Sequence, residues 1–257
     1  MLKMKKKKHL KVLITLFSLI VIIISWQVAA NVIKSSLILP SPTSVFSTML
    51  KLIFKSEFWE HFFYTMFRVF TSFAIALFLG GIIGVFSGLN PFIKQFFKLP
   101  LAIIKSTPVV AIILVALFWL KSNTIPIFVS VLMTLPIIAT NVTNGFLNVN
   151  KNLLQMANLY NFTFFQKFFK IQLPAVIPYF VCGINSAFGL SWKVVIAGEI
   201  LSLPQKAIGT VLSKAQIHLE SHLVLAYTIL IIIFSFLIEA LISFIIKKLS
   251  KRYKWNY

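Results

Sequence analysis

Five acidic residues, Glu57, Glu60, Glu199, Glu220 and Glu239, stand against 25 lysines and arginines in this chain of 257 residues, and aspartate is absent. Nucleotide hydrolysis in the usual arrangement needs a G-x-x-x-x-G-K-[ST] phosphate loop with an aspartate to hold the metal, and the chain has neither, nor paired carboxylates in one apolar segment. His218 and His222 have the i, i+4 spacing of a metal pair, but no cysteine and no third histidine accompanies them. Cys182 is the single cysteine, which excludes an intrachain disulfide and suits a packing role. What remains is charge inside apolar segments: Arg68, Lys105, Lys193 and Glu239. A charge at the centre of a membrane helix costs about 2.5 to 3.5 kcal/mol on insertion scales, so such residues are functional candidates. Arg68 lies within two turns of the end of its segment and is expected to snorkel to the interface. Lys193 lies about 28 Å along its helix from Pro174 at 1.5 Å per residue, near the far end. It is expected to face an anionic group, or to sit at the interface or beside a glutamate. Glu199, six residues on, does not share its helix face.

The elements that must carry these groups are apolar. Hydrophobic residues make up 59% of the chain, and the mean hydropathy is +0.93. No ordinary soluble domain has this composition. About 20 apolar residues span a bilayer as a helix, and six segments qualify: 12–33, 62–88, 101–120, 125–147, 174–198 and 223–247. The fold class is therefore all-α, a polytopic membrane protein with about six transmembrane helices. The connections leave no room for an appended soluble domain.

A net charge of +20 suggests nucleic acid until the basic residues are placed on this topology. Lys3, Lys5 to Lys8, Lys11, Lys94, Lys98, Lys151, Lys167, Lys170, Lys247, Lys248, Lys251, Arg252 and Lys254 all fall on one side. By the positive-inside rule that side is the cytoplasm, which places both termini and the 148–173 loop there. The partner of the charge is a lipid bilayer, with no nucleic acid. The basic start followed by an apolar run to Ala30 also fits a signal peptide, but the run is long for one and is expected to stay as the first span.

Pro40-Ser41-Pro42-Thr43-Ser44 reads as a turn with a helix cap, followed by a short amphipathic helix with Val45, Phe46, Met49, Leu50, Ile53 and Phe54 at helical spacing. Gly80, Gly84 and Gly88 form a stripe for close helix approach, by default within one protomer. Pro108, Pro126 and Pro136 invite bends in or at the ends of the third and fourth spans.

The 148–173 loop carries Gln155-Met156-Ala157, then Asn161, then Ile171-Gln172-Leu173-Pro174. With its spacing of E-A-A, three residues, G, nine residues and I-x-L-P, this run resembles the coupling loop of bacterial ABC importer permeases. Gly189-Leu190-Ser191-Trp192-Lys193-Val194-Val195-Ile196-Ala197-Gly198-Glu199 and Leu39-Pro40-Ser41-Pro42 narrow the resemblance to the nitrate/sulfonate/taurine-type branch of binding-protein-dependent transport. Gln155 stands where that family usually has Glu, Met156 where it has Ala, and Asn161 where it has Gly. Asn tolerates the left-handed turn that Gly permits, whereas Gln155 loses a charge that an ATPase partner's cation would meet.

The resemblance implies a type I ABC importer permease fold. It divides the chain into a basic tail with the first helix at 1–36, the permease domain at 37–247 and a basic tail at 248–257. It implies no enzyme activity and no cofactor bound by this chain, with ATP hydrolysed by a separate cytoplasmic ATPase that docks on Gln155, Met156, Ala157 and Asn161. Ile171, Leu173 and Pro174 would transmit the push. A second permease subunit (a homodimer being the commoner arrangement), an extracytoplasmic binding protein and a bacterial plasma (inner) membrane location follow. The solute would be small and polar or anionic, of the sulfonate, nitrate, taurine or vitamin-precursor kind, passing Ser191, Trp192, Lys193 and Glu199. The competing reading is a stand-alone secondary transporter or channel, for which Glu239 would be the coupling acid.

Overall fold

The computed structural model describes residues 2–252, with side chains described at 13–244 and 248. The basic side chains of the amino-terminal tail and Lys247, Lys251, Arg252 and Lys254 lie outside the described residues. Every regular element in the described chain is helical. Five helices are long and apolar enough to cross a membrane, or six if one bent pair counts as a span.

The chain forms two compact units. The first takes residues up to Trp59 together with Leu212–Ile231. In it, α1 (Leu2–Ile33) keeps its apolar side chains from Leu13 to Ile24 exposed, as a lipid-facing helix does. Trp26 donates its indole N–H to the carbonyl of Pro40 at 3.1 Å, fixing the turn after α1. The expected amphipathic helix is α2 (Pro42–Ile53), whose Ser41 cap accepts the Ser44 N–H. Val45, Met49 and Leu52 face inward, while Phe46 and Phe54 stay exposed. The inward stripe thus runs i, i+4, i+7 rather than through both phenylalanines.

The second unit, Glu60–Val211 and the chain from Ile232, holds most of α3 (Ser56–Leu89), with α6 (Ile125–Leu147) and α9 (Leu173–Ser202). Between α3 and α6 the expected third span is not one helix. Helix α4 (Pro91–Ser106) ends at Thr107, and α5 (Val109–Ala116) leaves at 95°. The cause is local: Pro108 disfavours helical backbone at the residue before it, and Thr107 is accordingly extended at φ −78°, ψ 129°. The Thr107 hydroxyl and N–H both return to the Ile103 carbonyl, closing α4.

Helix α6 (Ile125–Leu147) packs against the glycine stripe of α3. A Cβ on Gly84 would lie 2.5 Å from the Val142 Cβ, and one on Gly88 2.5 Å from the Phe146 Cβ. These glycines bring two backbones of the same chain together, as the default reading expects, and the Thr143 hydroxyl reaches the Gly84 carbonyl across the contact at 3.2 Å. The core they border, Ala76, Ile138, Val142, Phe146, Val176 and Ala187, draws on α3, α6 and α9. After α6 the chain makes α7 (Lys151–Leu159) and the single-turn α8 (Phe164–Lys167). A π turn over Phe168–Gln172 leads into α9 (Leu173–Ser202), and α10 (Ile208–Ile217) and α11 (Ser221–Arg252) complete the chain. Gly145 meets Val176, Gly183 meets Asn141 and Gly198 meets Pro126, so α6 and α9 run antiparallel and the 148–172 loop and the 203–207 turn lie at opposite ends of the pair.

Candidate functional site

The 148–172 loop is built by three local devices. Asn150 caps α7 through the Asn152 N–H. At the other end of α7, Asn161 takes φ 53°, its N–H bonds to the Asn158 carbonyl at 3.0 Å, and the Phe162 N–H reaches back to Ala157 at 2.9 Å. These two bonds are the paired closures of a Schellman motif, which needs a left-handed residue at this position. Asn161 fills the role that glycine plays in the motif it resembles. Thr163 and Gln166 then form a reciprocal capping box that starts α8. In the π turn the Leu173 N–H bonds to Phe168. Pro174 has no N–H and its ring crowds the carbonyl one turn back, so the wider turn accommodates the proline where the loop enters α9.

Ala157 is buried, whereas Gln155, Met156 and Asn161 are exposed and Ile171 and Leu173 are half-buried; Pro174 is exposed. Ala157 is therefore internal to the loop's packing. The outward apolar side chains are Leu153, Met156, Leu159 and Tyr160 from α7 and its cap, with Phe164, Phe165 and Phe169 following. The aromatic run is layered: Phe168 stacks on Phe146 and on Phe164, and the ammonium of Lys170 lies 5.9 Å from the Phe162 ring centroid. Phe168 thereby joins the loop to the α3–α6–α9 core.

At the opposite end is a buried polar clasp. Arg68 Nη1 donates to Glu199 Oε1 at 2.9 Å, with both side chains almost wholly out of solvent. Glu199 Oε2 accepts from the Thr65 hydroxyl at 3.0 Å and from the Gly209 N–H at 3.1 Å. Arg68 also donates to the carbonyls of Gln205 and Lys206 and to Asn123 Oδ1. Arg68 does not snorkel, because a full set of acceptors lies inside the protein. The clasp holds the 203–207 turn, which carries the left-handed residues Leu203 and Lys206, against α3 and the chain before α6. Lys206 itself forms a half-exposed pair with Glu60 at 2.7 Å, and the hydrogen bond to that carboxylate holds its ammonium above the usual lysine range.

Of the four candidate path residues, Ser191, Trp192 and Glu199 are buried and Lys193 is exposed. The Ser191 hydroxyl bonds to the Phe188 carbonyl, and Trp192 packs near Phe62 with its indole N–H unpaired among the described residues. The exposed face of α9 that carries Lys193 also presents Cys182, Asn185 and Ser186. One turn before Lys193, a Cβ on Gly189 would lie 2.9 Å from a carboxylate oxygen of Glu239. Glu239, Asn185 and Ser243 line a cavity of about 240 Å³. A polar exposed face at membrane depth is the pattern of a water-lined or protein-covered surface rather than a lipid-facing one.

The family model for the binding-protein-dependent transport system inner membrane component matches residues 76–254. The chain belongs to this family. Among its curated relatives is SsuC of Bacillus subtilis, named as an aliphatic sulfonates transport permease, 24% identical over 90% of this chain and 84% of that protein. The taurine transport system permease protein TauC of Escherichia coli is 23% identical over 83% of this chain and 80% of its own length. The nitrate import permease protein NrtB of Synechocystis is 26% identical over 74% of this chain and 72% of its own. The fold is that of a solved chain of the MetNI methionine ABC transporter in inward-facing conformations, with a TM-score of 0.63 at 16% identity, covering 72% of this chain and 93% of that one. The permease is thus a multi-pass membrane protein of the ABC importer kind, on the branch that its loop and α9 motifs resemble. Two features had escaped the sequence: the Arg68–Glu199 clasp, whose only signal was a lone cation and a lone acid in separate apolar segments, and the lysine face that α4 turns toward α6.

Proposed function

We propose that the chain forms the translocation path of an ATP-driven importer for a small oxyanion-bearing solute of the sulfonate, taurine, nitrate or bicarbonate kind. A separate ATPase hydrolyses the ATP and docks on the 148–172 loop, a separate binding protein delivers the solute, and a second copy of the chain completes the path. Both termini and the docking loop face the cytoplasm. The observation that carries this reading is the loop: a short helix with capped ends that presents Met156, Leu159 and Tyr160 outward and is tied by Phe168 to the helix core. An apolar knob on a rigid stalk suits a groove on a partner protein. It transmits displacement because its ends are hydrogen-bonded rather than loose.

In this reading, ATP-driven closure of two ATPases pulls the two α7 knobs together, and the π turn and Pro174 pass the movement to α9. The exposed face of α9 at Asn185, Ser186, Gly189 and Lys193 then changes its exposure between the two sides. Lys193 supplies the charge that an anionic solute meets, and the clasp at Arg68 and Glu199 keeps the far end of α9 rigid while its near end moves. Uptake of labelled taurine, alkanesulfonate, nitrate and bicarbonate, compared in cells with and without this gene, tests the reading. Loss of ATP-dependent uptake of one of them in cells without the gene is expected; unchanged uptake of all four would remove the proposed solute class.

A further inference from the structure

Helix α4 buries none of its side chains, yet one row of it, Lys94, Lys98 and Lys105, lines a cavity of about 260 Å³ with α3 and α6. These positions share one face of a helix, at i, i+4 and i+11, so the charge follows the cavity over about 16 Å of helix length at 1.5 Å per residue. The opposite wall carries polar groups. Thr140 and Asn144 of α6 line it, and Lys105 Nζ donates to the Thr140 hydroxyl at 3.2 Å.

At the α3 side lies Ser87, 4% exposed, a residue of the same cavity lining whose buried hydroxyl has no hydrogen-bond partner among the described residues. A helical serine ordinarily returns its hydroxyl to a carbonyl one turn back. A buried hydroxyl left unmatched loses its hydration without replacement, so an occupant that accepts its proton is favoured. None of the five glutamates lines the cavity, so nothing there neutralises the lysines. The positive-inside rule accounts for lysines near the helix end. It gives no reason for Lys105 to lie deeper on the same face, nor for the unmatched Ser87.

We propose that this cavity is a binding site for an oxyanion group, a sulfonate, sulfate or phosphate, held by Lys98 and Lys105, with Lys94 adding charge and Ser87 donating its hydroxyl. The proposal does not rest on the transport reading. The group has two sources, a free solute anion or the headgroup of an anionic lipid, and the cavity accepts the chemistry they share.

The full chain in nanodiscs of phosphatidylcholine alone is titrated with sodium sulfate against sodium chloride at constant ionic strength. In parallel, the chain from nanodiscs containing phosphatidylglycerol is weighed by native mass spectrometry. One bound sulfate per chain identifies a free-anion site, and one retained phosphatidylglycerol per chain that sulfate does not displace identifies a headgroup site. In either case Lys98→Gln and Lys105→Gln each weaken binding about tenfold, the loss of roughly one charge-assisted hydrogen bond, and Ser87→Ala weakens it less. All three lysines are exposed, so these variants keep the wild-type melting midpoint. Lys121→Gln, at an exposed lysine outside the cavity, leaves binding unchanged. The proposal is overturned if neither sulfate nor phosphatidylglycerol is held above the level of the Lys98→Gln/Lys105→Gln double variant. It is equally overturned if Lys121→Gln reduces binding as much as they do.

Discussion

Glu199→Gln isolates the clasp. Glutamine keeps the shape but offers one oxygen where the carboxylate has two, and its NH₂ must point at a donor, either the Arg68 guanidinium or the Thr65 and Gly209 pair. Arg68, buried at 5% exposure, then keeps its charge with only neutral acceptors. Breaking one partner of a buried ion pair costs about 3 to 5 kcal/mol, of which a charge-assisted hydrogen bond is about 1.5 to 3. Unfolding in mixed micelles of dodecylmaltoside and SDS, followed by tryptophan fluorescence and extrapolated linearly, measures it. Replacing both Arg68 and Glu199 with apolar residues is expected to cost less than the sum of the two single changes, because no charge is left unpaired. The half-exposed pair of Lys206 and Glu60 is the internal control, and Glu60→Gln is expected to leave the transition nearly unmoved because solvent screens that pair. If Glu199→Gln moves the transition no further than Glu60→Gln, the clasp is not an energetic anchor of the fold.

Gly84→Ala places a Cβ 2.5 Å from Val142 and is expected to lose about 1 to 3 kcal/mol by overpacking, whereas Gly81→Ala, which meets nothing within 4 Å, is expected to be neutral or slightly stabilising; the same unfolding curves decide. Asn161→Val forces a β-branched residue to φ 53° at about 1 to 2 kcal/mol, while Asn161→Gly is expected to be tolerated. Faster hydrogen exchange of the Phe162 amide in the valine variant alone would bear this out, and equal exchange in both would not. Pro108→Ala restores a helix-compatible residue at the 95° bend. Spin labels at Leu99 and Val110 are expected to move apart as α4 and α5 straighten, and an unchanged distance would mean that tertiary packing, not the proline, sets the bend.

Features governed by neighbours along the chain were legible in the sequence. The Asn161 turn, the Ser41 cap and the glycine stripe each follow from backbone chemistry within one or two turns. The bend at Thr107 was also written locally, in Pro108, but an apolar run that passes the length test for a span hides it. The clasp could not be read in this way, because Arg68 and Glu199 are 131 positions apart and each alone looks like a stray charge near a helix end. Burial of Ala157 and exposure of Met156, adjacent in one motif, likewise depend on which face of α7 the core covers. The α4 lysines were legible as a topology signal, but their inward row needed the position of α6.

Purifying the tagged chain from its native membrane, in parallel with a Leu159→Glu variant, and identifying what accompanies each shows whether an ATPase docks on α7. Leu159 is 83% exposed, so the substitution should leave the fold and its unfolding transition intact. An ATPase chain bearing a phosphate-binding loop is expected with the wild type and absent from the variant. Recovery of the wild-type chain alone in several mild detergents would contradict the account and favour a stand-alone transporter with Glu239 as its coupling acid.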